Sequence, residues 1–296
     1  MADSKKPLII ITGPTASGKT SLAVELAKKY GGEIISADSR AIYRDIDTAS
    51  AKPSIQERAG VVHWGFDLVD PGERFTAADF KEYAYKKIDE IHNRGSLPFL
   101  VGGTGLYIDA VLYDYQFAGE VENYSREMFQ KKDLEELYEY CNKHNIELPE
   151  NYKNKRYIVR AIEKSVNNYN ATDVKSNNYN EYNNIVVGIT TPREVLRERI
   201  ADRNKSFISS GIVEEALHNG AKYGWESEAM TANAYPLIKK FIEGELSEDE
   251  LIAKMSTIDW RLAKRQITFM KRNKNIRWLD LAEANTYLNN EIKKIA

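Results

Sequence analysis

Leu8-Ile-Ile-Ile-Thr12 runs straight into Gly13-Pro14-Thr15-Ala16-Ser17-Gly18-Lys19-Thr20, and the reading of this junction decides the fold. The apolar run suits a strand buried on both faces and is too short for a membrane span or a signal peptide. Behind the junction Leu22, Ala23, Leu26 and Ala27 recur at helical spacing. A glycine-rich turn ending in Gly-Lys-Thr between a strand and a helix is the context that a phosphate-binding P-loop requires. Its glycines let the backbone wrap an anion, and its amides and the helix N-terminus aim positive partial charge at phosphate oxygens. Lys19 adds a full charge, and Thr20 offers a hydroxyl ligand for Mg2+. Residues Gly13, Pro14, Thr15, Ala16, Ser17, Gly18, Lys19 and Thr20 are therefore the expected diphosphate cradle. The motif leaves open whether the anion is ATP or another diphosphate.

Working outward, three further runs look like strands buried on both faces: Glu33-Ile-Ile-Ser-Ala37, Leu97-Pro-Phe-Leu-Val101 and Ile185-Val-Val-Gly-Ile189. Thr76-Ala-Ala-Asp79 reads as a capping box, and Phe80, Ala84, Ile88 and Ile91 form one helical stripe that stops at Gly95. Strands alternating with helices predict an α/β fold with a mostly parallel, helix-flanked sheet. Ligands bind such sheets at the carboxyl ends of the strands. There the second strand delivers Asp38, a candidate general base, and the third delivers Val101-Gly-Gly-Thr104-Gly-Leu-Tyr107. Glycines at that edge allow close backbone approach, and Thr104 can hydrogen-bond a phosphate or a base. Either segment alone could also be an ordinary capped turn.

The 296 residues are 42% hydrophobic and 29% charged with a net charge of -2, which excludes disordered, fibrous and membrane classes. Cys141 is the only cysteine, so disulfides and cysteine-rich zinc modules are excluded and a reducing, cytoplasmic setting is expected. Residues 1–115 and 185–296 read as one core, the latter half helical from Pro192 to about Leu281. Residues 116–184 read as an inserted helical domain. The insertion ends in Asn167–Asn184, where eight of 18 residues are Asn and three are Tyr, expected to be a mobile surface connection. Arg261 to Arg277 holds seven Lys or Arg and no acid, a basic stretch suited to a nucleic-acid backbone.

One combination is more specific. The P-loop, then Ser36-Ala-Asp38-Ser39, Ala51-Lys-Pro53, Asp67-Leu-Val-Asp70-Pro71, Ala78-Asp-Phe80 and the Val101–Tyr107 turn follow each other in the order and approximate spacing of the tRNA dimethylallyltransferases, which this chain resembles. The likeness resumes with Arg156-Tyr-Ile-Val-Arg160, Glu198-Arg199-Ile-Ala-Asp-Arg203, Gly211-Ile-Val-Glu-Glu215 and Ala263-Lys264-Arg265-Gln-Ile-Thr-Phe269. It implies a P-loop NTPase-like, kinase-like core with an inserted small helical domain. It further implies transfer of a dimethylallyl group from dimethylallyl diphosphate to the N6 amine of adenosine-37 in tRNA, by a monomer using Mg2+. On that reading Asp38, Thr104 and Arg199 are catalytic. Asp38, Ser39, Arg40, Ala41, Thr104, Arg156, Arg160, Lys264 and Arg265 face tRNA, and Thr20 holds the metal. The chain departs from the family's usual residues at Ala49-Ser50, at His63-Trp64-Gly65-Phe66, at Asn233–Leu237 and at Asp259-Trp260. Rival readings are a same-fold prenyltransferase using free adenine nucleotide, a small-molecule or nucleotide kinase, and a non-catalytic RNA-binding protein.

Overall fold

The computed structural model describes residues 5–117, 128–129, 131–166, 180–227, 230 and 234–295. Most of the tract from Asn167, and Asn233, lie outside them. The chain divides into two compact units, Met1–Leu112 with Tyr179–Ala296, and Tyr113–Asn178.

In the first unit β1 (Pro7–Thr12), α1 (Lys19–Tyr30), β2 (Gly32–Ser36), the short α2 (Ile55–Arg58), β3 (His63–Trp64), α3 (Ala77–Asn93), β4 (Leu97–Gly102) and α4 (Gly105–Leu112) come first. The sheet is six-stranded, in the order β3-β2-β4-β1 followed by two later strands, and every pairing is parallel. Leu8 to Ile11 have no exposure at all, because helices cover both faces and alternation would place a polar group in the core. α3 starts at the Thr76–Asp79 capping box and buries Phe80, Ala84, Ile88 and Ile91, as the stripe predicts. β4 ends in close backbone packing. A Cβ on Gly102 would sit 2.1 Å from the carbonyl oxygen of Ala37, so only glycine lets the ends of β2 and β4 meet.

The second unit holds α5 (Leu134–Lys143) and α6 (Lys155–Val166). They share a small core of Phe129, Leu137, Cys141, Ile158, Val159 and Ile162. Cys141 is thus a packing residue, and burial raises its thiol pKa. Arg156 and Arg160 stand one turn apart on the exposed face of α6.

The chain returns to the sheet as β5 (Asn183–Ile189), which pairs with β1. Here the structure corrects the expectation of a mobile connection running to Asn184. Asn180 and Tyr182 are each 3% exposed, Asn180 donates to the carbonyl of Val111 at 3.1 Å, and Tyr182 stacks on Tyr85. Four helices follow: α7 (Arg193–Ser209), α8 (Ile212–Tyr223), α9 (Tyr235–Ile242) and α10 (Glu248–Met270). The expectation of uninterrupted helix to about Leu281 also fails, because β6 (Arg277–Leu279) adds a sixth strand beside β5 before α11 (Leu281–Ile292). Three residues are too few to carry a periodic signal. None of the described helices is long and apolar enough to cross a membrane.

Candidate active site

The carboxyl ends of β1, β2 and β4 bring the P-loop, Asp38 and the Gly102–Thr104 turn to one edge of the sheet. The register places Thr12 opposite Gly102 and Ser36 opposite Val101. Gly18, with φ 87°, caps the N-terminus of α1, and Ala16 also takes a left-handed φ of 61°. The ammonium of Lys19 folds back to donate to the carbonyl of Pro14 at 3.1 Å. Burial pushes its pKa down to about 8; Asp38 pulls it up and Arg203 pushes it further down. Ser17 Oγ is buried and has no hydrogen-bond partner. An unsatisfied buried donor in an anion-binding turn is the kind of orphan that a ligand oxygen would satisfy.

Asp38 lines the cleft, and its Oδ1 accepts from the backbone N–H of Arg40 at 2.8 Å. Thr104 stands behind it. Its hydroxyl accepts from the N–H of Ser39 at 3.0 Å and faces Ser39 Oγ at 3.3 Å, so it fixes the turn that carries Asp38. Arg40 is exposed at the cleft rim, whereas Ala41 is buried at 3% exposure. Ala41 therefore leaves the set of side chains that can face RNA, because the turn directs its methyl into the core.

Two helices from the far end of the chain close the cleft. On α7, Arg199 is exposed, and the arginine in the cleft is Arg203, one turn later. Arg203 donates to Thr15 Oγ1 of the P-loop and to Asp259 Oδ2 at 2.8 Å, and its buried Nε has no partner. Of the two arginines in this motif, Arg203 lines the cleft and bonds the P-loop, whereas Arg199, the arginine expected to be catalytic, is exposed on α7. From α10, Gln266 accepts from the N–H of Thr15 at 2.8 Å. A Cβ on Gly103 would lie 2.3 Å from the amide nitrogen of Gln266, so that glycine makes room for it. Gln266 stands within the Ala263–Phe269 motif, but no local pattern marks its contact with Thr15, which spans 251 residues.

The cleft is also lined by the apolar side chains of Ile46, Ala49, Phe207, Met255, Ile258 and Leu262, beside Ser50, Asn204 and Asp259, and Ile46, Ala49, Phe207 and Met255 pack in one cluster. One cleft thus joins an anion-binding end to an apolar end. Lys264 and Arg265 are exposed on α10. Near them Trp260 lies under two guanidinium groups, Arg193 at 5.3 Å and Arg197 at 4.7 Å from its ring centre.

The IPP transferase family model matches residues 41–273. This chain belongs to the IPP transferase family. An isopentenyl transferase model also matches residues 6–64. The chain is 35% identical to a tRNA dimethylallyltransferase of Macrococcus caseolyticus over 95% of this chain and 92% of that one. It is 36% identical to that of Bacillus mycoides, over 94% and 91%. The tRNA delta(2)-isopentenylpyrophosphate transferase of Staphylococcus epidermidis superposes with a TM-score of 0.72 at 31% identity, covering 99% of this chain and 100% of that one. The tRNA isopentenylpyrophosphate transferase of Bacillus halodurans gives 0.72 at 32% identity, over 98% and 96%. Members of the IPP transferase family have the P-loop NTPase-like sheet described above, so its loops and cleft can be read as those of a prenyl-transferring enzyme.

Proposed function

We propose that this chain transfers a dimethylallyl group from dimethylallyl diphosphate to the N6 amine of adenosine-37 in tRNA, releasing diphosphate. The observation that carries the reading is the two-ended cleft. Lys19, Thr15 and Arg203 line one part of it beside the unpartnered Ser17 of the P-loop, and Ile46, Ala49, Phe207 and Met255, which pack in one cluster, line the other.

As the bond between C1 of the allyl group and the diphosphate oxygen breaks, negative charge builds on the leaving group. Lys19, the loop amides, the N-terminus of α1 and Arg203 neutralise that charge where it develops. The N6 lone pair forms the new C–N bond, and Asp38 takes the proton that N6 sheds, a role worth ~10²- to 10⁴-fold in rate. Mg2+ would supply further charge neutralisation on the leaving diphosphate. The P-loop suits it, because its hydroxyl side chains are hard oxygen donors. Mg2+ takes one or two hard protein oxygens and completes its shell with phosphate and water. Thr20 would be such a donor, which leaves the Asp38 carboxylate for the proton.

The adenine must leave the anticodon-loop stack to reach Asp38. Arg40 at the rim, Lys264, Arg265, the arginine-flanked Trp260 and, in the second unit, Arg156 and Arg160 are suited to single-stranded RNA, which takes cations along its backbone and planar groups against its bases. The test is incubation with Mg2+, radiolabelled dimethylallyl diphosphate and, separately, unmodified tRNA, AMP or ATP, followed by digestion and mass spectrometry. Label on the adenosine after the anticodon supports the reading. Label only in free nucleotide, or ATP turnover without label, overturns it.

A further inference from the structure

The segment from Asp45 to Ala51 supplies Ile46, Ala49, Ser50 and Ala51 to the cleft, and its own sequence does not account for its shape. Asp45 and Ala51 take left-handed φ angles of 59° and 56°, which residues with a Cβ keep only when their surroundings hold them. The holding group is Glu215 on α8. Its carboxylate accepts from three successive backbone amides: Asp47 at 2.9 Å, Thr48 at 2.6 Å and Ala49 at 3.0 Å. It also accepts from the hydroxyl of Tyr235 at 2.8 Å. A carboxylate is an acceptor only, so it can satisfy four donors that an amide could not.

The rest of the network points the same way. Asn219 donates to the carbonyl of Asp45 at 2.6 Å and to the hydroxyl of Tyr235 at 2.9 Å. Lys222 and Tyr223 hold the carboxylate of Asp45 at 2.6 Å and 3.0 Å. Tyr235 is fully buried in one apolar cluster with Ile46, Ile212 and Met255. Glu215 itself does not line the cleft; it acts through the loop.

We propose that Glu215 is a positioning residue that fixes Ile46 and Ala49 opposite Phe207 and Met255 and so restricts the donor to a short prenyl chain. This rests on the reading of the cleft as a prenyl diphosphate site. Loss of charge-assisted bonds from a loop is worth about tenfold in an equilibrium. In Glu215→Gln the ratio of kcat/KM for dimethylallyl diphosphate over that for geranyl diphosphate, its ten-carbon homologue, therefore falls about tenfold, mainly through KM. Affinity for inorganic diphosphate stays put, because the P-loop end does not depend on this loop. A merely structural role would lower the active fraction for both donors and leave the ratio unchanged.

The experiment measures both donors with tRNA as acceptor for wild type, Glu215→Gln, Tyr235→Phe and Ala49→Gly. Tyr235→Phe removes one bond of the network, and Ala49→Gly removes a wall methyl while leaving Glu215 in place, so both decide the matter if Glu215→Gln does not fold. A fall in the ratio in these variants supports the proposal. An unchanged ratio in folded, active variants overturns it. Wild-type protein that uses neither donor overturns the reading of the cleft instead, a result that needs no variant to recognise.

Discussion

The two ends of the cleft are built by different means. The anion end is made mostly of backbone: a glycine-rich turn, the first turn of α1 and the glycine-packed ends of β2 and β4. Apart from Arg203 and Gln266, it depends on short glycine-rich segments at the strand ends. The apolar end is made of side chains from a loop, α7 and α10, segments separated by up to about 200 residues and held together by Glu215, Arg203 and Asp259. A site made of backbone is specified by a short motif, whereas one made of side chains is specified by packing.

The sharpest test is Asp38→Ala, which removes the proposed base from the cleft. Transfer falls by ~10²- to 10⁴-fold while inorganic diphosphate still binds, checked by single-turnover rates beside calorimetry. Near-normal transfer would remove Asp38 as the base. Next comes Arg203→Ala against Arg199→Ala. Loss of charge-assisted bonds should weaken diphosphate binding about 10- to 100-fold for Arg203, and Arg199, on the solvent face, should change it by less than about twofold. Equal effects would break the assignment of Arg203 to the anion end.

At the apolar end, Met255→Ala should lower unfolding free energy by about 2–5 kcal/mol through cavity formation and raise KM for the prenyl donor, with inorganic diphosphate affinity unchanged. If diphosphate affinity fell as well, the ends would not be independent. Outside the cleft, replacing Lys264 and Arg265 together by alanine should reduce the salt slope of tRNA binding by about 2, about one for each lost phosphate contact.

The smallest effect concerns pH. Lys19 has a pKa lowered to about 8 in the ligand-free protein, and its charged form is the one that holds diphosphate. Affinity should therefore fall as pH rises through 8, and binding near that pH should take up a proton. Calorimetry in buffers of different ionisation enthalpy measures the uptake. A flat profile to pH 9 would show that the loop amides hold the anion without Lys19.

How much was legible follows the same division. The four long strands, the α3 stripe and the P-loop could be read because each is a local pattern of at least five residues. β3, with two residues, and β6, with three, could not, since pairing with a neighbour defines them rather than periodicity. Nor could the sequence distinguish Arg199 from Arg203, both in one motif. Asn180 and Tyr182, in a tract without apolar rhythm, are buried because α3 and α4 leave a place for them.

From sequence alone came the parallel α/β core, the anion cradle at its strand ends and the family, because these rest on short-range geometry and ordered motifs. Tertiary structure decided which arginine reaches the P-loop, that Thr104 braces the turn of Asp38, and that Glu215 shapes a loop about 170 residues away. Such contacts depend on where whole helices come to rest on the sheet, and no local pattern of side chains records that.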